Sequence, residues 1–164
     1  MRIKITCITP LILIIAFVLT AANIQQNEEE CDATALKAEL KRELRPDYKY
    51  DSSKTTRITF KTKVQVKEIE VPVFMGEKYR FLFNTAGLPK DVDVKIYNKP
   101  STNKKRKLLY SLEPKEGEHI YMFEPEKSRK MYIDYTIPES SEPELKGCLV
   151  FVLGYQLSVL KSLD

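Results

Sequence analysis

Three observations predict a mainly β protein: an antiparallel β-sandwich of about eight short strands behind one short N-terminal amphipathic helix. From Thr56 onward apolar and polar residues alternate with a period of two, the repeat of a half-buried strand. Glycine, proline and asparagine clusters interrupt that alternation at strand-scale intervals, as in sandwiches and barrels. The helical repeat appears once, near the N-terminus, which excludes an alternating α/β architecture.

The first element is Arg2 and Lys4, an apolar run from Ile5 to Leu19, and Thr20-Ala21-Ala22. A basic start, an apolar core and small residues at the end predict a secretory signal peptide over residues 1–22. The run is shorter than the ~20 apolar residues a membrane-spanning helix needs, so no stable span is expected after cleavage. Removing 22 of 164 residues leaves 142, beginning at Asn23, and discards Cys7. Losing Arg2 and Lys4 lowers the basic count from 27 to 25 against 23 acidic residues, and the net charge from +4 to +2. So small an excess argues against a nucleic-acid partner, which needs a clustered basic face.

Residues 23–30 are polar and acidic and read as a mobile leader. Cys31 and Cys148 remain as an even pair, which in an oxidising compartment reads as one disulfide; the alternative is two free thiols. A bridge of that span would stabilise the fold by roughly 4–5 kcal/mol at the upper end of the chain-entropy model. Glu28-Glu29-Glu30 before Cys31 is no lipobox, so a lipid anchor is not expected.

Within residues 31–46 Asp32 can cap a helix, because its carboxylate accepts orphan amide hydrogens of the first turn. Leu36, Leu40 and Leu44 recur every four residues, and Pro46 ends the segment. The narrow apolar stripe predicts a helix against a sheet edge rather than in a core. The β-sandwich domain is assigned to residues 47–164.

Ile58, Phe60, Val64 and Val66 fall on one face of the next segment, and after Glu68 the phase shifts to Ile69, Val71 and Val73. Such a shift means a bulge, or two strands meeting at a bend. Gly76-Glu77 turns into a strand with Tyr79, Phe81 and Phe83, and residues 84–90 form a loop. Val92, Val94 and Ile96 mark the next strand, residues 98–105 a polar turn, and Leu108-Leu109-Tyr110 another strand. Residues 119–123, 131–137 and 145–155 supply the last three, the final one the most apolar and interrupted by Gly147 and Gly154. Phe81, Val94, Ile133 and Val150 are the expected inward residues on four different strands.

Catalytic and metal chemistry finds little purchase. His119, the single histidine, has no nucleophile elbow near it and no assignable partner for general-base work. One histidine and a cysteine pair cannot supply the usual zinc ligands. Asp91 and Asp93 share a strand face and could offer oxygen ligands to calcium, but a solvated face neutralised by Lys95 accounts for them. Glu28–Glu30 with Asp32 complement the positive end of the helix instead. The densest charge run, Lys104-Lys105-Arg106-Lys107, is the candidate anion-binding site, able to contact anionic polysaccharide, lipopolysaccharide or a membrane surface. Its alternative is a hairpin tip kept soluble by like charge. Lys61, Lys63 and Lys67 would extend it into a stripe if the strands are neighbours. Nine tyrosines and seven phenylalanines without tryptophan fill a sandwich core by default. One or two of Tyr97, Tyr110, Tyr121, Tyr132 and Tyr135 could be exposed for recognition.

The order of features from about Val64 to Tyr155 resembles the bacterial pre-peptidase C-terminal (PPC-like) domains. The residues that carry it are Lys78-Tyr79-Arg80-Phe81 after a Gly-Glu turn, Asp91-Val92-Asp93-Val94-Lys95-Ile96-Tyr97 and Phe123-Glu124-Pro125. Met131-Tyr132-Ile133 and Gly147-Cys148-Leu149-Val150 complete it. The resemblance covers roughly two thirds of the chain after the leader, and Cys148 stands where members often have an aromatic residue. It implies a jelly-roll sandwich and a non-catalytic accessory module on secreted proteins. The expectation is therefore a secreted, periplasmic or extracellular, non-enzymatic module without cofactors that binds or scaffolds an envelope or extracellular protein or polysaccharide. A small secreted hydrolase with a dispersed site is the alternative.

Overall fold

The computed structural model describes residues 31–157 except 75, 128, 143 and 144. The expected signal peptide (1–22) and acidic leader (23–30) lie outside the described residues.

One helix, α1 (Ala33–Glu43), precedes eight strands: β1 (Lys49–Thr59), β2 (Gln65–Val71), β3 (Glu77–Asn84), β4 (Asp93–Tyr97), β5 (Leu108–Ser111), β6 (Ile120–Phe123), β7 (Met131–Ile137) and β8 (Lys146–Leu157). They form two four-stranded antiparallel sheets, ordered β1-β8-β3-β6 and β2-β7-β4-β5. The chain thus pairs like one long hairpin, β1 with β8, β2 with β7, β3 with β6 and β4 with β5, rolled across two layers. That is the jelly roll. Antiparallel pairing throughout puts the β1–β2, β3–β4, β5–β6 and β7–β8 connections at one end, here the upper end. The β2–β3, β4–β5 and β6–β7 connections lie at the lower end.

Between the sheets lies the main core, which includes Phe81, Phe83, Val94, Ile96, Ile133, Tyr135, Leu149 and Phe151. Phe81 packs edge-on to Phe123 at 5.8 Å, and Phe151 sits between Phe81 and Phe83 at 5.5 and 5.3 Å. The hydroxyl of Tyr135 is buried and without a hydrogen bond among the described residues, and burial drives its phenol well above the ordinary range.

Several expectations need correction. β1 begins at Lys49, well before Thr56, because its first half is Ser-, Thr- and Lys-rich and carries no apolar alternation. Val64 and Val66 do not share the inward face of Ile58 and Phe60; they are 56 % and 59 % exposed. The chain changes sheets between β1 and β2, so the inward phase resets there and Ile69 and Val71 face the core. Gly147 and Gly154 do not interrupt β8. A Cβ at Gly154 would collide with the Leu44 side chain, which uses that gap.

The helix also lies elsewhere than expected. Asp32 caps α1 as predicted, accepting from Thr34 N (3.1 Å) and Ala35 N (2.9 Å). But α1 crosses the outer face of the first sheet, packing on β8, β3 and β1 instead of on an edge. Leu40, Leu44 and Tyr48 form a second buried layer there with Leu82, Val150, Val152 and the Cys31–Cys148 pair. Val150 is therefore buried as expected, but against the helix and not within the sandwich. The cause is the composition of β3 and β8, whose adjacent residues Phe81-Leu82-Phe83 and Leu149-Val150-Phe151-Val152 are apolar on both faces and need a cover on each.

Candidate functional site

A disulfide joins Cys31 to Cys148, with Cα atoms 5.7 Å apart, inside the range such bridges require. It pins the start of α1 to β8. A Cβ on Gly87 would lie 2.6 Å from Cys31 Sγ and 2.7 Å from Cys148 O, so only glycine lets the β3–β4 loop close over the bridge. Polar contacts complete the attachment. Buried Asn84 donates to Glu39 Oε2 (2.8 Å), Arg80 donates to Glu43 O (3.3 Å) and lies over the Tyr48 ring, and Lys41 lies over Tyr50. The outer face of the first sheet is a closed layer.

Among the described residues the outer face of the second sheet has no such cover, and it is the candidate functional site. Strand register aligns its outward side chains in rows. Val66, Thr136 and Asp93 form the first, Glu68, Asp134 and Lys95 the second, and Glu70, Tyr132, Tyr97 and Leu108 the third. Tyr97 and Tyr132 are thus the two outward tyrosines of the five considered. Tyr121 and Tyr135 are buried, and Tyr110 turns inward to stack on Phe123 at 4.9 Å.

The rows are tied together by ion pairs. Asp93 holds Lys95 at 2.5 Å and Glu70 holds Lys130 at 2.7 Å. At the centre, Arg106 reaches in from the β4–β5 connection. Its guanidinium donates to Asp134 Oδ2 at 2.9 Å, lies 4.0 Å from Glu68 and covers the Tyr97 ring at 3.4 Å. Glu68 also accepts from Ser101 N at 2.6 Å, so this connection folds back over the sheet and is held at both its ends. Arg106 Nε and Asp134 Oδ1 are buried and have no hydrogen-bond partner among the described residues. Burial raises the Asp134 carboxyl above its ordinary range, with Arg106 opposing and Glu68 adding to the rise.

The four residues of the charge run therefore separate. Lys104, Lys105 and Lys107 are exposed, whereas Arg106 is turned into the sheet as an ion-paired, half-buried residue and is no free cation of the tip. Lys61 and Lys63 lie on the β1–β2 connection at the opposite end, so no stripe with the run forms. Lys67 donates to Arg57 O at 2.7 Å and Gln65 to Thr59 O at 3.0 Å, where they shield the open edge of β1.

His119 is exposed and lines a polar cleft of about 310 Å³ at the upper end with Asp91, Glu116, Glu118 and Tyr121. All three carboxylates are exposed, and no hydrogen bond links one of them to the imidazole among the described residues. Asp91 and Asp93 point to different surroundings: Asp93 is paired with Lys95, and Asp91 stands at the loop. Among the described residues no group of three or more histidine, cysteine, aspartate or glutamate side chains is placed to hold a metal ion. No described helix is long and apolar enough to cross a membrane. The ion network on the second sheet was invisible in sequence, because Glu68, Arg106 and Asp134 are far apart in the chain; Arg106 read there only as one more cation in a run.

In comparison with known proteins, no protein-family model matches this chain, and no curated protein matches it.

Proposed function

We propose that the chain is a secreted, non-catalytic jelly-roll module that binds or scaffolds an envelope or extracellular protein or polysaccharide through the outer face of its second sheet. The PPC-like resemblance implies the same class of module. The observation that carries the reading is the asymmetry of the sandwich. One sheet is closed by a disulfide-fastened helix; the other presents a face whose side chains are ordered in advance by ion pairs and a folded-back loop. A face held in one arrangement loses less conformational entropy when a partner seats on it. A disulfide suits an oxidising compartment and supports secretion.

Capture of partners from an extract of the native envelope tests this. Val66→Asp places a charge on the open face at an exposed site, and Arg42→Glu alters the exposed side of α1. The first should lose most of the captured material and the second should retain it. Equal capture by both would overturn the assignment of the binding face. The hydrolase reading would need His119 to act as a base. Hydrolysis of a generic ester or peptide substrate that disappears in His119→Ala would replace the binding reading.

A further inference from the structure

The upper end carries two adjoining depressions that share a wall at Asp91 and Pro114. The first encloses about 330 Å³, within the size range of ligand pockets. Its floor is Val92 and Leu112, both buried, and its rim includes Val64 and Pro138. Val64, just before β2, and Val66 within it continue the hollow as an apolar strip, each more than half exposed. Apolar side chains kept exposed beside an apolar floor mark a contact surface.

The second depression is the polar cleft at His119. Three carboxylates, Asp91, Glu116 and Glu118, face one ammonium there, Lys115, which pairs with Glu118 at 3.5 Å. The carboxylates of Asp91 and Glu116 make no ion pair or hydrogen bond with a described residue. Neighbouring Lys90 does not supply one, since it is held by Glu142 at 2.8 Å and Ser140 at 3.0 Å. The two depressions thus call for an apolar group beside a cationic one. Side chains two residues apart in an extended chain project to the same side, about 7 Å from each other, which suits two hollows divided by one wall.

We infer that this groove docks an extended segment of a partner protein in which an aliphatic residue is followed two positions later by lysine or arginine. The aliphatic side chain fills the hollow over Val92 and Leu112, and the cation meets Asp91 and Glu116. This deepens the reading of the chain as a binding module and rests on it, since the groove opens at the upper margin of the same sheet face. It also sets the sign of the ligand: an anionic polysaccharide is repelled here.

The test is an NMR titration of the ¹⁵N-labelled, oxidised protein with acetyl-Leu-Ser-Lys-amide and with acetyl-Leu-Ser-Glu-amide. The lysine peptide should shift the amides of Val64, Val92, Leu112 and Glu116 and saturate them. The glutamate peptide should bind more weakly, by about 2- to 5-fold for each exposed charge contact. Asp91→Asn with Glu116→Gln should erase that preference while leaving the spectrum of the fold intact. Shifts scattered over the sandwich, equal binding of the two peptides, or a preference unchanged in the double variant would each overturn the inference. The outcome is separable from the wider reading. If neither peptide binds the groove but Val66→Asp still abolishes partner capture, the groove fails and the binding face stands. If the lysine peptide binds as stated and nothing is captured, the groove stands and the face fails.

Discussion

The two sheets of this sandwich have the same number of strands and share one core, yet their outer faces met opposite fates. Outward positions on β3 and β8 are Leu82, Cys148, Val150 and Val152, and a helix lies over them, fixed by a disulfide and by Arg80, Asn84 and Lys41. Outward positions on β2, β4 and β7 are mostly charged or aromatic, and among the described residues the only cover is a loop held by Arg106 and Glu68. The first face is held by burial and a covalent link, which act on stability. The second is held by ion pairs, which fix geometry and contribute modestly to stability because exposed pairs are screened by solvent. Architecture alone does not choose between these outcomes; the side chains at alternate positions do.

The sharpest break in the comparison is the double substitution Cys31→Ala with Cys148→Ala. The bridge closes a separation of 117 residues, so its loss should cost about 5 kcal/mol in the chain-entropy model. The measurement is the midpoint of urea unfolding. Hydrogen exchange should show α1 loosening first while β2, β4 and β7 stay protected. Uniform loss of protection would mean that the helix layer and the sandwich are a single cooperative unit.

Next come truncations in the two buried layers. Leu44→Ala under the helix and Ile133→Ala between the sheets should each lower stability by ~2–5 kcal/mol, the usual range for buried large-to-small changes. A cost below half a kcal/mol for Leu44→Ala would show that the helix rests on the sheet without stabilising it.

On the open face, Arg106→Ala should cost about 1–3 kcal/mol, because Asp134 is left buried and without its donor. Lys104→Ser and Lys105→Ser, exposed on the same connection, should each stay within about half a kcal/mol. Equal effects at Arg106 and Lys104 would return Arg106 to the solvated tip. The same face should also show two opposite pH responses. The folded Asp134 holds its proton at pH values where the unfolded chain has released it, since burial outweighs Arg106. Its contribution is therefore largest below the unfolded carboxyl range and is lost as pH rises through the folded value. As pH rises above the ordinary carboxyl value the wild type should lose stability relative to Asp134→Asn. Glu70 is lowered by its hydrogen bond to Lys130, so its contribution is present above the unfolded value and lost as pH falls through the folded one. The Glu70 effect has the opposite sign and lies below the ordinary carboxylate value, where the wild type should lose stability relative to Glu70→Gln as pH falls; chemical denaturation on both sides of that value reads the pair.

Stability is expected to change least at these exposed lysines, so the combined change of Lys104, Lys105 and Lys107 to serine is tested by binding instead. Its readout is retention on heparin beads at low salt, which should fall if these exposed cations bind anions and stay unchanged if they only keep the tip soluble. Added salt should weaken any such retention, as exposed charges are screened beyond ~8 Å at physiological ionic strength.

Local pattern determined much of this protein. The period-two alternation and its turn punctuation predicted the mainly β fold, the single helical repeat located α1, Asp32 announced its cap, and the even cysteine pair predicted the bridge. Each is a property of neighbouring residues, or of a simple count. The inward assignment of Phe81, Val94 and Ile133 followed from the same alternation. Tertiary structure alone decided which side of a strand met a second layer. Val150 and Phe151 are equally apolar, and only the position of α1 shows which faces the helix. Val64 and Val66 fell outward because the chain changed sheets just before them. Arg106 left its lysine neighbours to meet Glu68 and Asp134, partners brought within reach by the pairing of β2 with β7 and by a loop folded across both. Period and propensity carry no information on such contacts, because they arise from strands adjacent in space and distant in the chain.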